Sequence, residues 1–337
     1  MTNQSISATP AGLAKEIKPG FTEIQFRGKA ISAPSVTIEN RTVVARGKWL
    51  KVASVHDEKS VEGRVVEDPQ QFIERLAKSE LKADIFTFPQ RMTEPEPMYP
   101  YAFEWDNAAA LPITTYEDWL GKKIGTDVKQ NVKKAAKRGV VTRTVPFDDA
   151  FVRGIVEIYN ESPTRQGRPF WHYGKGFEAV KNETAHCLER SEFIGAYFQD
   201  ELIGFVKLLY VGQTADLVLI VSKQNHFDKK PTNALIAKAV EVCASKGIAY
   251  LLYAKFAYGN KANSSLADFK KRNGFEQIRF PRYYIPLTWK GRVAARLKLY
   301  RDIKEILPEQ VIKAGVNLRS MLNKRARGTG KAEAATN

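Results

Sequence analysis

Three apolar segments follow one another between residues 193 and 221, separated only by short polar turns. They have the sequences FIGAYF, LIGFVKLLYV and ADLVLIV, and the turns contain Gln199-Asp200-Glu201 and Gly212-Gln213. Runs of this length rich in β-branched and aromatic residues, joined by short turns, are typical of consecutive antiparallel strands. The sequence therefore predicts a three-stranded meander, around which the rest of the fold must be arranged.

Further strand and helix patterns lie on both sides of this meander. Asp68 followed by Pro69 predicts a helix start, because Asp accepts a hydrogen bond from the first turn and Pro lacks only an N–H that would stay unpaired. Apolar residues at helical spacing, closed by Gly139, predict a helix over 115–139. The other predicted segments are a β-hairpin at 36–57, strands at 83–88, 101–105, 140–145, 248–256 and 275–287, and helices at 148–160, 177–190, 232–245 and 264–272.

The composition excludes several classes of protein. Of the 337 residues, 43% are hydrophobic and 27% are charged, which is unlike disordered, collagen-like or coiled-coil chains. No apolar run approaches the roughly 18 residues of a membrane span. Cys187 and Cys243, with four histidines, are too few for a disulfide scaffold or a Cys/His zinc site, so we expect no metal. The first residues lack a signal-peptide pattern, so we expect a cytoplasmic protein.

Basic residues dominate the charge, which is +16 overall and favours polyanionic partners. From residue 288 onward there are 12 Lys or Arg and 4 Asp or Glu. Apolar side chains recur there at helical spacing: Val293, Leu297, Tyr300, Ile303 and Leu307. A basic amphipathic helix either packs on the protein or lies on an anionic membrane, and the sequence leaves both open.

A second basic segment lies at 122–138. No acidic residue follows Asp127 before Asp148, so pairing within the helix does not account for the lysines. Such a face is suited to tRNA phosphates or to a phosphorylated lipid head group, although most charged helix faces are simply solvated.

The element order of the second half, with two short motifs, resembles the GNAT acyltransferase fold. The segment NSSLADFKKRNGF places Asn263 eleven residues before Gly274-Phe275, similar to the helix after the fifth GNAT strand. The segment KQNVKKAAKRGV at 129–140 is similar to a basic helix of the Fem and BioF2-like branch, and Phe269-Lys270 also suits that branch. The resemblance implies an α/β (α+β) fold with a mixed, largely antiparallel sheet, flanked by helices, in two GNAT-like halves.

The resemblance also implies a domain organisation and an activity. We expect a loose N-terminal segment (1–35), a partial GNAT-like half (36–114), an acyltransferase domain (115–288) and a basic amphipathic helical tail (289–337). The implied activity is transfer of an acyl group from an acyl-CoA-like donor, such as acetyl-CoA, to an amine of a sugar, peptide or lipid-linked cell-envelope precursor. Two alternatives stay open: an aminoacyltransferase that uses charged tRNA, and a non-catalytic module that binds the inner surface of the membrane through the tail.

The donor-binding segment departs from the GNAT pattern. GNAT proteins hold the donor pyrophosphate on a glycine-rich turn before the helix that follows the fourth strand, since glycines let backbone N–H groups approach phosphate. Here the segment, KQNHFDKKPTNAL at 223–235, has no glycine. Its helix start still suits an anion, and free N–H groups are expected at Asn233, Ala234 and Leu235. The predicted cofactor-binding residues are Lys229, Lys230, Thr232, Asn233, Ala234 and Leu235.

The polar, aromatic loop at 161–176 has the densest set of chemically active side chains. Arg165 and Arg168 can hold a phosphate or carboxylate with paired hydrogen bonds, and Gln166 and Trp171 complete the predicted substrate site. His172 titrates near neutrality and is a candidate catalytic residue. The alternative is a structural loop, anchored by buried aromatics, whose arginines lie in solvent.

Two other regions supply candidate groups. Asp228, before the donor helix, can accept a proton from the attacking amine, and Asp216, at the start of the fourth strand, is a further candidate. Tyr258, after the fifth strand, can protonate a departing thiolate, and Lys270 is a candidate substrate contact. A structural role is the alternative for each, and for the lysine it is a buried stem with a solvated head.

Overall fold

A computed structural model of the chain describes residues 18–26, 29–165, 167–258 and 264–301. The strands in these ranges form one mixed sheet of 12 strands and one two-stranded hairpin. All neighbouring strands of the large sheet run antiparallel except two parallel pairs, one in each half of the sheet. The predicted fold class, a largely antiparallel mixed sheet flanked by helices, is confirmed.

The first half is an antiparallel meander followed by a helical crossover. Asp68 caps the crossover helix, since its Oδ1 accepts a 3.1 Å hydrogen bond from the N–H of Gln71, and Pro69 occupies the first helical position as predicted. The elements are β1 (Lys18–Phe26), β2 (Lys29–Ile38), β3 (Arg41–Arg46), β4 (Val52–Val55), a 3₁₀ turn (Glu58–Ser60), α1 (Pro69–Lys78) and β5 (Ile85–Pro89). Strands β1 and β2 begin within residues 18–35, which the sequence analysis treats as loose.

A mainly helical segment connects the halves and covers the sheet. Its elements are β6 (Phe103–Pro112), α2 (Tyr116–Asp118), a π-helical turn (Trp119–Lys123), α3 (Thr126–Lys137), β7 (Val141–Val145), α4 (Asp149–Asn160), β8 (Thr164–Arg165), β9 (Arg168–Pro169) and α5 (Phe177–Thr184). The continuous helix predicted over 115–139 is wrong. Ile124 is extended because the chain turns there to meet the C-terminal part, where buried Trp119 donates from Nε1 to the carbonyl of Asn273.

The second half repeats the plan of the first, with the predicted meander followed by a helical crossover. Its elements are a 3₁₀ turn (Leu188–Arg190), β10 (Ser191–Phe198), β11 (Glu201–Val211), β12 (Thr214–Ser222), a 3₁₀ segment (Gln224–Lys229), α6 (Pro231–Ser245), β13 (Tyr250–Leu252), α7 (Ser265–Arg272), β14 (Glu276–Pro286) and α8 (Trp289–Arg296). The strand predicted over 248–256 is much shorter in the structure, where β13 contains only Tyr250–Leu252. The tail beyond Arg301 lies outside the described residues.

The two halves exchange strands at the centre of the sheet. The strand order is β1-β2-β3-β4-β5-β14-β6-β13-β12-β11-β10-β7. Strand β14, late in the chain, therefore pairs with β5 of the first half, while β6 pairs with β13 of the second. Because each half is completed by a strand from the other end of the chain, the halves are joined through continuous hydrogen bonding.

Apolar side chains alternate between the two faces of the sheet. On β11, Phe205 packs with α4 residues such as Ile155, whereas Val206 packs with α6 residues such as Leu235. A separate core lies under α1 in the first half, around Phe72. The second half is thus a sheet covered by helices on both faces.

Candidate active site

The parallel strands β12 and β13 separate soon after they begin. They pair from Thr214 with Tyr250 to Asp216 with Leu252, over three residues on each strand. Strand β13 ends there, while β12 continues to Ser222. The divergence leaves a gap in the sheet beside the second half of β12, and such a gap can admit an extended ligand.

A cleft lies between the two halves where β12 and β13 begin to separate. A cavity of about 530 Å³ is bounded by β6, β14, the start of β12 and the loop after β5. An adjoining groove of about 940 Å³ lies between α5 and the strands β3 and β4. Four residues line both spaces: Glu58, Lys59, Asp216 and Ala254. These residues mark where the two spaces meet.

Asp216 and Lys59 bring opposite charges into this junction from the two halves. Asp216 is half-buried, and burial raises the pKa of its carboxyl, an effect that the positive charges of Lys59 and Lys270 oppose. Lys59 is exposed on the 3₁₀ turn, and no carboxylate lies within ion-pair distance of it in the described parts of the chain. Asp216 therefore has the properties of a proton acceptor facing a cavity.

A buried ion network forms one wall of the cavity. Arg282 on β14 donates from Nε to Oδ2 of Asp106 on β6 at 2.9 Å, and it also holds both carboxylate oxygens of Glu58. Lys255 binds the other oxygen of Asp106 at 2.9 Å. These partners lower the pKa of Asp106 despite its burial and raise that of Arg282. The network fixes the turn that carries Lys59.

Lys270 stabilises the loop after β13. Its buried ammonium donates to the carbonyl oxygens of Tyr253 and Lys255, both at 2.7 Å. Burial, with a smaller contribution from Lys59, lowers the pKa of Lys270 to about 8. The sequence alternative of a solvated head group is therefore wrong. Two of the three N–H donors of the ammonium already bond to backbone carbonyls. Lys270 lies beside the candidate site without lining either cavity.

Arg165 is an anchor rather than an open anion-binding group. It donates to the carbonyl oxygens of Ser222, at 2.7 Å, and Ile158, at 3.1 Å, and its guanidinium lies over the Phe170 ring at 4.4 Å. Glu161 also lies within 3.6 Å. These contacts attach the loop to the end of β12. Arg168 on β9 is exposed, and Gln166 lies outside the described residues.

His172 is a buried ring in an aromatic stack. Its centroid lies 3.5 Å from that of Trp171 and 4.0 Å from that of Tyr159, while Nδ1 has no hydrogen-bond partner. Burial, followed by the charges of Lys175 and Arg165, lowers the pKa of His172 to about 3. The expectation that His172 titrates near neutrality is wrong, because the stack removes the ring from water. Trp171 is half-exposed on the outer side.

The start of α6 offers fewer free donors than the sequence suggests. The N–H groups of Asn233 and Ala234 both donate to the carbonyl of Lys230, and Leu235 is fully buried. Lys230 adopts a left-handed conformation, with φ of 60°, just before Pro231. Free N–H groups at Asn233 and Ala234 are therefore a wrong expectation, since the helix itself uses them.

The side chains at this helix start are partly occupied. Thr232 shares a 3.0 Å hydrogen bond with Ser222, and Lys229 lies over the ring of Phe198 at 4.7 Å. Asp228 pairs with Arg138 at 2.7 Å, away from both cavities. Lys229 and Lys230 are the cations at this helix start, and Lys229 is also paired with Asp228 at 3.5 Å.

The three predicted catalytic residues are not brought together. His172 lies in the aromatic stack, Asp228 forms a surface ion pair, and exposed Tyr258 lies 5.8 Å from the Lys270 ammonium, measured to the ring centroid. No hydrogen bond or ring contact joins them within the described residues. The structure instead places Asp216, the further candidate from the fourth strand, where the two spaces meet; Glu58, the other carboxylate that lines both, is already bound by Arg282.

Sequence reasoning missed Lys59, Glu58, Asp106 and Arg282. A signal for the last two was present, since each charge stands next to an aromatic residue of a strand pattern, Asp106 after Trp105 and Arg282 before Tyr283. Buried charges are rare unless paired, so two such residues of opposite sign predict each other. Lys59 carries no comparable signal.

Comparisons with known proteins address the fold. No protein-family model matches the chain, and no curated protein matches it. Among solved structures, FemX shares 11% identity, with 79% of this chain and 88% of that chain covered and a TM-score of 0.51. The C-terminal domain of a protein described as a lysylphosphatidylglycerol synthetase, from Agrobacterium fabrum, shares 12% identity over 78% and 87%, also with a TM-score of 0.51. L-PGS from Bacillus licheniformis shares 13% over 76% and 85%, with a TM-score of 0.50.

The fold is a double GNAT-like one. The likeness covers most of this chain and most of each neighbour, so it includes both halves of the sheet. The meander and crossover occur twice because the fold has two similar halves. At 11–13% identity the likeness describes the fold alone. The activity has to be argued from the side chains of the cleft.

The described residues contain neither a membrane-spanning helix nor a metal-binding cluster of side chains. No helix there is long and apolar enough to cross a membrane. No group of His, Cys, Asp or Glu side chains in those ranges is arranged to hold a metal ion.

Proposed function

We propose that the chain is an N-acyltransferase in which Asp216 accepts a proton from the acceptor amine. The observation that carries this proposal is the place of Asp216: it is half-buried, it lines both spaces of the cleft, and it lies at the residue where β12 and β13 separate. Burial raises the pKa of its carboxyl, which makes it a stronger base than a solvated aspartate.

The reaction we infer is direct transfer. The lone pair of the neutral acceptor amine attacks the acyl carbon of the donor and forms the new C–N bond. The nitrogen, which then carries a positive charge, loses a proton to Asp216. The bond from that carbon to the thiol sulfur breaks, and the thiolate leaves with its electron pair. Tyr258 is the proposed proton donor to this thiolate, and it regains a proton from solvent as Asp216 releases one, so that amine and thioester give amide and thiol. Catalysis then rests on alignment and proton acceptance rather than on a covalent intermediate.

The proposed donor is an acyl-CoA such as acetyl-CoA. The gap beside β12 can hold the extended arm of the donor, and Lys229 and Lys230 at the start of α6 are the proposed phosphate contacts, with Thr232 beside them. The N–H groups of Asn233 and Ala234 are excluded from this role because they are already bonded. We therefore expect side-chain cations, rather than backbone, to dominate phosphate binding.

The proposed acceptor is an amine that also carries an anionic group. The cavity presents the carboxylate of Asp216 to the amine and the unpaired ammonium of Lys59 to an anion. Arg91 adds a further cation on the cavity wall, although its guanidinium already donates to the carbonyls of Gly63 and Val61. A phosphorylated amino sugar, a peptide or a lipid-linked precursor with an amine meets this description, with exposed Arg168 and Trp171 at the loop as proposed outer contacts.

An aminoacyl-tRNA donor is the second candidate. Helix α3 presents exposed Lys133, Lys134 and Lys137 without carboxylate partners in the described structure, which suits an RNA backbone. The absence of glycine before α6 weakens the case for CoA and favours this alternative.

The test combines both donors with a panel of amines. Purified full-length protein is incubated with acetyl-CoA, or with charged tRNA, and an amino sugar phosphate, a short peptide or an aminated lipid head group, and acylated product is detected by mass spectrometry. The Asp216→Asn variant is compared with Asp200→Asn, an exposed turn residue. We expect product from one donor class that D216N loses and D200N retains. Product formed equally by D216N would overturn the assignment.

A further inference from the structure

Helix α8 leaves one whole face in solvent. Trp289, Val293 and Leu297, spaced four residues apart, are 73%, 50% and 62% exposed. Residues at this spacing lie on one side of a helix, so they form a continuous apolar stripe. Arg292 and Arg296, both exposed, form a parallel basic row next to it.

The orientation of this face is fixed by the opposite side of the helix. Thr288 caps α8 by accepting from the N–H of Gly291, and its hydroxyl donates to Asp84 at 3.0 Å. Lys290 pairs with the same carboxylate at 3.1 Å. Gly291 is packed so closely on the Asp84 carbonyl that no Cβ fits there. The helix therefore cannot rotate its apolar stripe inward without losing these contacts.

A second tryptophan extends the surface from the other half. Trp49, in the turn between β3 and β4, is 64% exposed. The ammonium of Lys290 donates to the carbonyl of Trp49 and lies 5.3 Å from its ring centroid. Two exposed indoles from distant parts of the sequence thus neighbour Lys290 at the first turn of α8, Trp49 by contact and Trp289 as the preceding residue.

The basic row on α8 is not neutralised. Arg292 and Arg296 have no ion-pair partner in the part of the chain that the structure describes. The nearby carboxylates are already bonded, Asp84 to Thr288 and Lys290, and Glu104 to Tyr300 and Arg301. An occupant of this face therefore meets apolar side chains and unneutralised cations together.

We propose that α8 and Trp49 form a face that docks on an anionic lipid bilayer. Indole rings and arginines prefer the interface between head groups and acyl chains, and an apolar stripe beside a basic row is the pattern of helices that lie in that plane. The complementary charge of anionic lipid distinguishes this occupant from a neutral apolar one. The proposal does not depend on acyl transfer, since no residue of the cleft takes part.

The first test is co-sedimentation of the full-length protein with vesicles of phosphatidylcholine alone or with about 30% phosphatidylglycerol. The variant Arg292→Glu/Arg296→Glu is compared with Lys133→Glu/Lys137→Glu on α3, which changes the net charge equally. We expect binding to anionic vesicles only, weakened by salt, and reduced tenfold or more in R292E/R296E. Equal losses in both variants would mean general charge attraction and would overturn the proposal.

The second test separates lipid from other occupants. Brominated lipids quench tryptophans that enter the bilayer, so the quenching should fall in Trp289→Phe and in Trp49→Phe relative to the wild type. Shielding of Trp289 from acrylamide without vesicles would mean that the tail covers the face. Self-association lost in Trp289→Ser would mean a second copy. Either result, if the protein also fails to bind vesicles, contradicts the proposal that this face docks on a bilayer.

Discussion

The Nε of Arg282 lies 2.9 Å from Oδ2 of Asp106, across the pair of strands that the two halves exchange. This bond joins β14 to β6, and through Glu58 it also reaches the turn that carries Lys59. A buried ion pair is weak evidence for net stability, but removing one partner leaves an uncompensated charge. The arrangement at the centre of the sheet and the shape of the cleft therefore depend on both residues.

Removal of either partner should destabilise the fold strongly. We expect Arg282→Met to lower the free energy of unfolding by roughly 3–5 kcal/mol, because half-buried Glu58 then loses its cation and buried Asp106 keeps only Lys255. Urea denaturation measures the change. The matched control is Arg272→Met, which breaks an exposed pair with Asp127 and should have little effect. Similar losses in the two variants would show that the network does not hold the halves.

His172 should behave as a neutral aromatic ring. Its folded pKa of about 3 is below the unfolded value of about 6.5, so the unfolded chain binds the extra proton between these pH values. Stability should therefore fall as the pH falls from 6.5 toward 3, by about 1.4 kcal/mol per pH unit from this group. His172→Phe should remove this contribution.

Denaturation at pH 7 and pH 5 measures this difference between the wild type and H172F. Turnover should persist in H172F, because the ring does not reach the cleft. A histidine signal that titrates near pH 6.5 in the folded protein, or an inactive but folded H172F, would restore the catalytic role that the sequence suggests.

The sequence predicted those parts of the fold and site that depend on local pattern. The meander, the cap at Asp68 and the GNAT-like order follow from periodicity, turns and short motifs, which act over neighbouring residues. The exchange of β6 and β14 and the position of Lys59 depend on contacts between residues far apart in the chain, which no local pattern records. The sequence left the loop of Arg165 and His172 open between binding and packing, because the same residue types serve both.

Lys270 should make stability rise with pH. Its folded pKa of about 8 is below the unfolded value of about 10.4, so the unfolded chain binds more protons between these values. The wild type should therefore gain up to about 3 kcal/mol relative to Lys270→Met as the pH rises from 8 to 10.5. Guanidinium denaturation of both proteins across this range checks the difference. A difference in stability that stays constant with pH would mean that the pKa of Lys270 is not lowered in the folded protein.

The lysines before α6 should control donor affinity. We expect Lys229→Ala/Lys230→Ala to raise the Kd for CoA by roughly tenfold or more, since hydrogen bonds to charged groups are worth about 1.5–3 kcal/mol. Isothermal titration measures it, with Lys238→Ala, further along α6 and paired to Glu241, as the control. Unchanged affinity in the double variant would remove the phosphate site from this helix.

The most direct test of the account is the pH dependence of acyl transfer by Asp216→Asn. Because Asp216 accepts the amine proton, we expect kcat to fall by about 10²–10⁴-fold with little change in KM for the donor. We also expect the wild type to lose rate at low pH and the variant not to show this loss. Because burial already disfavours the charged carboxylate, D216N should be at least as stable as the wild type. A folded D216N that turns over at the wild-type rate, with the same pH profile, would contradict the account.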